Sequence, residues 1–480
     1  MNFEISIKKQ WIALFLLSLG YATIYLDMTA LNVALSSIQS GFKATSTQLF
    51  WIVNTYMVTT AVFALAGGRL GDIFGLRNIF IIGVSLFGIS SIGCALSFSS
   101  GSLIFWRSFQ GIGGALTIAN AAACIYQIFP KEKQGKAMGY FGLVSVLFIV
   151  IGPTVGGIFT EYLNWRWIFW LNPMVGSISC FFIFHILNGL DLLRDKEASF
   201  DFSGQFLLSG FMIPTIIAFM QAHKWGWKSF TTINLILIGL FFFVLFIRNE
   251  KRQKYPLFDL SLLKIQNFRL AILLFFCSQF ASVANVLFAL YLEKSLQLKP
   301  VIVGFALLPS AFFGFFGNPL AGGLIDKFGV KRVIQIGLFS TLLAFVWLSV
   351  TASTFQYRYM FVALLLISIS LPLYMVGIFV MAMQSAPANQ RGMASGISMT
   401  MRQTGGTFAI AFMSLILATC ETRYQEFFTP MHTFAKGYSV AMFVIASALG
   451  IAFYASFWIG QEKEEKSPET LTSEKTLLRD

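Results

Sequence analysis

GRLGDIFGLRN at residues 68–78 returns as GGLIDKFGVKR at residues 322–332, identical at five of eleven positions and offset by 254. PKEKQGKAMG at 130–139 returns as PANQRGMASG at 387–396, identical at four of ten and offset by 257. Two near-equal offsets in the same order mark an internal duplication. In the first pair, glycines permit a tight turn where bulkier residues would clash. The acid beside them can bond a helix N-terminus or a basic partner.

The 480 residues around these segments are 56% hydrophobic and 11% charged, with a mean hydropathy of +0.74, which is the composition of an integral membrane protein. Aromatics reach 16%, including 54 Phe, which suits lipid-facing helices and an aromatic-walled cavity equally. The formal net charge of +13 resolves into loop charges and carries no nucleic-acid signal. Cys94, Cys124, Cys180, Cys277 and Cys420 lie in or beside apolar runs without metal-ligand spacing, and His185, His223 and His432 are scattered. No metal or other cofactor is indicated, and no nucleophile–base pair or phosphate loop points to an enzyme. The first apolar run is too long for a signal peptide and is expected to anchor itself.

Runs of about 20 apolar residues place spans near 11–38, 49–70, 78–98, 101–124, 136–160, 165–188, 203–222, 230–248, 267–292, 300–325, 332–352, 356–384, 391–418 and 434–459. The expected fold is all-α, with two six-helix pseudo-repeats and two inserted helices. Residues 1–190 make the first half, 191–255 the inserted segment, 256–460 the second half and 461–480 a disordered cytoplasmic tail. Of 34 basic residues, nine fall on the odd-numbered connections and two, Arg107 and Arg402, inside spans. The positive-inside rule then sets both termini in the cytoplasm of a multi-pass cell-membrane protein.

One acid breaks the apolar pattern. Within LDMTALNVALS at 26–36, Asp27 is the sole charge between Trp11 and Ile38. It lies roughly 24 Å along the helix from Trp11. A carboxylate at that depth costs about 2.5–3.5 kcal/mol by insertion scales, so it is expected to face a wet cavity and to work there. In LIFWRSFQGIGGA at 103–115, Arg107 lies roughly 9 Å in from the outer end of its span, against roughly 17 Å for Asp27, so the two could share one aqueous cavity. Arg402 lies roughly 16 Å into its span and should face a cavity or a partner carbonyl. Gate and substrate roles are open for it.

Duplicated six-helix halves with a mid-membrane site are the architecture of secondary transporters, and here the chain resembles the major facilitator superfamily, within it the fourteen-span drug:proton antiporters. The resemblance covers essentially residues 5–460. Its glycine–acid loop appears as Gly68, Leu70, Asp72, Gly75 and Arg77, with Ile73 where a basic residue is usual, and again as Gly322, Leu324, Asp326, Gly329 and Lys331. The family implies a gating latch there. The fourth-span pattern gives Arg107 a role in proton transfer with Asp27. Gly152, Pro153, Gly156 and Gly157 match the fifth-span pattern associated with antiport, with Phe148 where a further glycine is usual; small residues and a proline make a pliant contact between helices. Asp27, Thr29, Asn32, Ala34 and Leu35 match the first-span signature, with Ser36 in place of proline. WRWIFWLN at 165–172, Trp225-Gly226-Trp227, PLFDLSLLKIQNF at 256–268 and the run from Arg402 to Gly406 add weaker matches. Asn32, Tyr56, Gln110 and Arg402 are the expected substrate-cavity positions.

The resemblance implies a proton-coupled exporter of amphipathic small molecules, with the substrate, protons and the lipid bilayer as partners. An accessory envelope protein is not indicated by the sequence. Beside this reading stand a dedicated exporter of one native metabolite, such as a siderophore or a fatty-acid-like anion, and a non-transporting membrane sensor. The second half contributes no mid-span acid, which disfavours dications, since these need a second carboxylate to replace lost hydration. Lipophilic monocations and neutral or anionic amphiphiles stay open.

Overall fold

The computed structural model describes residues 6–187, 199–298, 300–424 and 430–460. Among these residues lie fourteen long α-helices: α1 (Ile7–Phe42), α2 (Ser46–Phe74), α3 (Leu76–Ala95), α4 (Ser100–Ile128), α5 (Gln134–Ile158), α6 (Arg166–Ile186), α7 (Phe202–Trp225), α8 (Phe230–Glu250), α9 (Gln266–Lys294), α10 (Pro300–Phe328), α11 (Val330–Thr351), α12 (Tyr357–Ser385), α13 (Arg391–Tyr424) and α14 (Pro430–Ser456). The expected tail over 461–480 and the stretch 191–198 lie outside the described residues.

The helices begin where polar side chains satisfy otherwise orphaned amides. Thr45 opens α2 by accepting from Gln48 N, with the Gln48 side chain bonding back, and Ser99 opens α4 in the same way with Ser102. Gly75 (φ +95°) ends α2 and Gly329 (φ +82°) ends α10, each turning directly into the next helix. Backbone with positive φ strains any residue with a Cβ, which explains glycine at these two equivalent places.

Helices α1–α6 pack on one another, chiefly as α2 on α4, α3 on α4, α1 on α5 and α3 on α6. Helices α9–α14 repeat the arrangement through α11 on α12, α10 on α12, α11 on α14 and α9 on α13. Two seams join the groups, α2 with α13 and α5 with α10. The pair α7–α8 lies against the first seam. Gln205 Nε2 of α7 donates to the Val62 carbonyl of α2 at 3.3 Å, and Phe219 meets Phe408 of α13 with ring centroids 4.3 Å apart. Asp201 ties the pair together, capping α7 at Gly204 N and accepting from Asn249 Nδ2 of α8, both at 2.8 Å.

Twelve of the helices are long and apolar enough to cross a membrane; α10 and α13 do not meet that measure over their described residues. Helix α13 carries Arg391, Arg402 and a run of Ser, Thr and Gly, and packs between α2 and α9. Helix α8 instead leaves Leu237, Leu240 and Phe241 exposed, a face suited to lipid.

Candidate functional site

The two duplicated segments meet crosswise. Asp72, at the end of α2, accepts from Gly392 N and Met393 N, both at 2.7 Å, in the first turn of α13. Asp326, its counterpart at the end of α10, accepts from Gly135 N at 3.0 Å and Lys136 N at 2.8 Å in the first turn of α5. Each carboxylate thus caps a helix N-terminus of the other half, where free amides and the helix dipole favour negative charge. The glycines allow the approach. A Cβ on Gly68 would lie 2.0 Å from the Gly392 carbonyl oxygen, and one on Gly322 would lie 2.3 Å from that of Gly135. Tyr126 Oη and Gln127 Nε2 add bonds to the carbonyls of Val380 and Ala388, each at 3.3 Å. The bundle is therefore closed at the end carrying the glycine–acid loops.

Arg77, expected in the gate, bonds within its own half. It donates to the carbonyls of Phe184 (3.1 Å) and Leu187 (3.3 Å) at the end of α6. Lys331 does the same for the end of α14 through Phe457 O (2.9 Å) and Ile459 O (2.8 Å). Replacing Asp72 or Asp326 by asparagine keeps the shape and removes the charge. Each charge-assisted pair of bonds is worth about 1.5–3 kcal/mol, so either change should shift the closed form toward the open by at least about tenfold. Alkylation of a cysteine placed at buried Ser395, in a background without native cysteines, should speed up accordingly; an unchanged rate would show the caps to be dispensable.

Asp27 lies within the first half, enclosed by three donors. It pairs with Arg107 of α4, and its Oδ1 accepts from Gln110 Nε2 at 3.1 Å and Asn172 Nδ2 of α6 at 2.8 Å. Ser91 of α3 holds both amides, accepting from Asn172 at 2.8 Å and Gln110 at 3.2 Å while donating to the Phe169 carbonyl at 2.9 Å. Arg107 further donates to Gln110 Oε1 at 2.7 Å and to the Ile52 carbonyl at 3.2 Å, and the Tyr56 ring covers its guanidinium at 4.4 Å.

Three of the expected site residues thus lie inside one enclosed network. The Asp27 carboxylate, expected in a wet cavity, is 0% exposed because donors from α4 and α6 surround it. Gln110, expected to line a substrate cavity, is a rung of the same network and equally buried. Tyr56 is a lid on Arg107 with 1% exposure. Asn172 and Ser91 went unnoticed in the sequence; an asparagine before Pro173 in an otherwise apolar run was the available signal. An apolar cavity of about 170 Å³ between α1, α5 and α6 is lined in part by Leu26, Phe148, Ile151 and Asn172.

Gly152 and Gly156 let α5 ride directly on the stretch of α1 that carries Leu26, Thr29 and Ala30. A Cβ on the first would lie 1.8 Å from Thr29 Oγ1, and one on the second 2.5 Å from the Ala30 carbonyl oxygen. Gly157 only grazes Val33, and Pro153 is exposed. Asn32 is exposed on α1 beyond Asp27. Arg402 is half-buried on α13, with its guanidinium beside Tyr21 and Tyr25 of α1.

The model of the Major Facilitator Superfamily matches residues 17–410. The chain is 30% identical over 421 residues to multidrug resistance protein Stp of Mycobacterium tuberculosis (strain CDC 1551 / Oshkosh), covering 86% of this chain and 76% of that one. It is 28% identical over 417 residues to the tetracenomycin C resistance and export protein of Streptomyces glaucescens, with the same coverage. The structure of the proton:xylose symporter XylE superposes with a TM-score of 0.66 at 14% identity over 95% of this chain and 97% of XylE, a likeness of fold. The chain is a multi-pass membrane transporter and belongs to the Major Facilitator Superfamily.

Proposed function

We propose that the chain is a proton-coupled exporter of amphipathic small molecules that works by alternating access, with all fourteen helices crossing the cell membrane and the glycine–acid loops facing the cytoplasm. The observation that carries the reading is the Asp27–Arg107 pair, buried in the membrane-spanning part of the first half, whose other hydrogen-bond partners Gln110, Asn172 and the Ile52 carbonyl are neutral. Protonation of Asp27 would cancel its charge and leave the always-charged Arg107 without its counter-ion. The network must then rearrange, and α1 must shift against α5 along the seam that Gly152 and Gly156 keep free of side chains. Such a rearrangement couples proton entry to the opening of the crosswise latch. Two similar proteins named for resistance and export support the outward direction.

The test is accumulation of a panel of amphipathic dyes in inside-out vesicles. The reading expects uptake when a proton gradient is imposed and none when it is collapsed. Uptake that ignores the gradient would refute proton coupling. The tetracenomycin C exporter, named for one compound, favours a second reading as a dedicated exporter. Transport of a single chemical type from the panel would select it.

A further inference from the structure

We propose that Arg402, with Tyr21, Tyr25 and Gln279, forms an anion-binding subsite, so that the molecules moved best are acidic amphiphiles. The proposal rests on the exporter reading and adds the charge of the substrate. Arg402 lies eleven residues into α13, about 17 Å from its start, and so near mid-membrane. Among the described residues no carboxylate pairs with it. Its neighbours are the hydroxyls of Tyr21 and Tyr25, which are 2.9 Å from each other.

The contrast with Arg107 gives this weight. Both guanidiniums sit at a depth where an unpaired charge is expensive, yet the structure supplies a counter-ion to one of them. Asp27 is the one acid of the described residues far from a helix end, and its oxygens are taken by Arg107, Gln110 and Asn172. The deep interior therefore carries one unmatched positive charge. A bound anion would match it, whereas a bound cation would add to it.

A second observation is independent of charge. Gln279 of α9 is 5% exposed and its Nε2 has no hydrogen-bond partner. Its Cβ packs 3.3 Å from the position a Cβ would take on Gly405, one turn along α13 from Arg402. A buried amide donor left unmet is costly unless a ligand acceptor meets it. An unmet donor on α9 thus lies one turn along α13 from Arg402, and the rings of Tyr21 and Tyr25, 5.2 Å apart, offer apolar surface beside the guanidinium. Arg402 is only half-buried, so a ligand can reach it.

The experiment is counterflow into proteoliposomes holding the full chain, using radiolabelled naphthalene-2-sulfonate. Wild-type protein should take it up. Unlabelled naphthalene-2-sulfonate should compete at least about tenfold better than the neutral isostere naphthalene-2-sulfonamide, because a site built from charged donors rejects a ligand lacking the matching group. Arg402→Gln should lower uptake about tenfold, and Arg402→Lys, which keeps the charge without the fork, should lower it less. The proposal is overturned by any of three results: no sulfonate uptake by wild type, equal competition by the sulfonamide, or wild-type uptake by Arg402→Gln. The isostere comparison needs no variant and stands even if Arg402→Gln fails to fold. Counterflow needs no proton gradient, so a failure of coupling leaves this test intact.

Discussion

A valine at Gly68 is expected to hold the loop end of the bundle open and to slow transport by at least about a hundredfold. The reason lies in what faces the missing side chain. A Cβ at Gly68 would come 2.0 Å from the Gly392 carbonyl oxygen and 2.7 Å from its carbon, and one at Gly392 would come 2.3 Å from the Gly68 carbonyl oxygen. These are backbone atoms on both sides, so no rotamer change relieves the clash. Overpacking costs about 1–3 kcal/mol even where side chains can yield, and 3 kcal/mol is already a shift of roughly a hundredfold between closed and open forms. On the other seam a Cβ at Gly322 would come 2.3 Å from the Gly135 carbonyl oxygen, so Gly322→Val should act the same way. A spin-label pair across the latch should report longer distances in both variants. Distances and transport rates unchanged from wild type would show that the glycine contacts are incidental.

Replacing Asp27 by asparagine is expected to remove gradient-driven accumulation altogether while leaving counterflow. The amide keeps the size of the carboxylate and loses the charge that a proton would cancel. It also leaves Arg107, 1% exposed, without its counter-ion, which costs about 3–5 kcal/mol of stability when a buried pair is broken on one side. A double variant, Asp27→Asn with Arg107→Gln, separates the two effects. It removes the stranded charge and should recover most of the melting temperature, yet still fail to couple. Recovery of gradient-driven transport in the double variant would assign coupling to another group.

Much of the fold was legible because a membrane restricts the choices. Long apolar runs must be helices there, and the helix limits fall within a few residues of the hydropathy reading for most spans. The repeats were legible as well, but their pairing was not. Comparing copies aligns equivalent positions, Gly68 with Gly322 and Gly135 with Gly392, whereas the contacts join Gly68 to Gly392 and Gly322 to Gly135. Only an arrangement of the halves in space exchanges the partners.

At the site, the cost of a deep charge singled out Asp27 and Arg107, and the structure brings them together. Depth alone does not decide whether such a pair meets water. Enclosure depends on Gln110, Asn172 and Ser91, neutral residues whose burial is cheap once they are mutually bonded and which leave no mark in a charge pattern. The contact of Tyr56 was hidden for a related reason: spacing gives the face of a helix, but the cation lying on that face comes from α4.

The most direct test of proton coupling through Asp27 is a count of protons moved per substrate moved in proteoliposomes carrying an internal pH-sensitive dye under an imposed pH gradient. The account predicts that wild-type protein dissipates the gradient only when substrate is present on the side from which it is exported, and that Asp27→Asn dissipates none. Equal substrate-dependent proton flux through Asp27→Asn would contradict it.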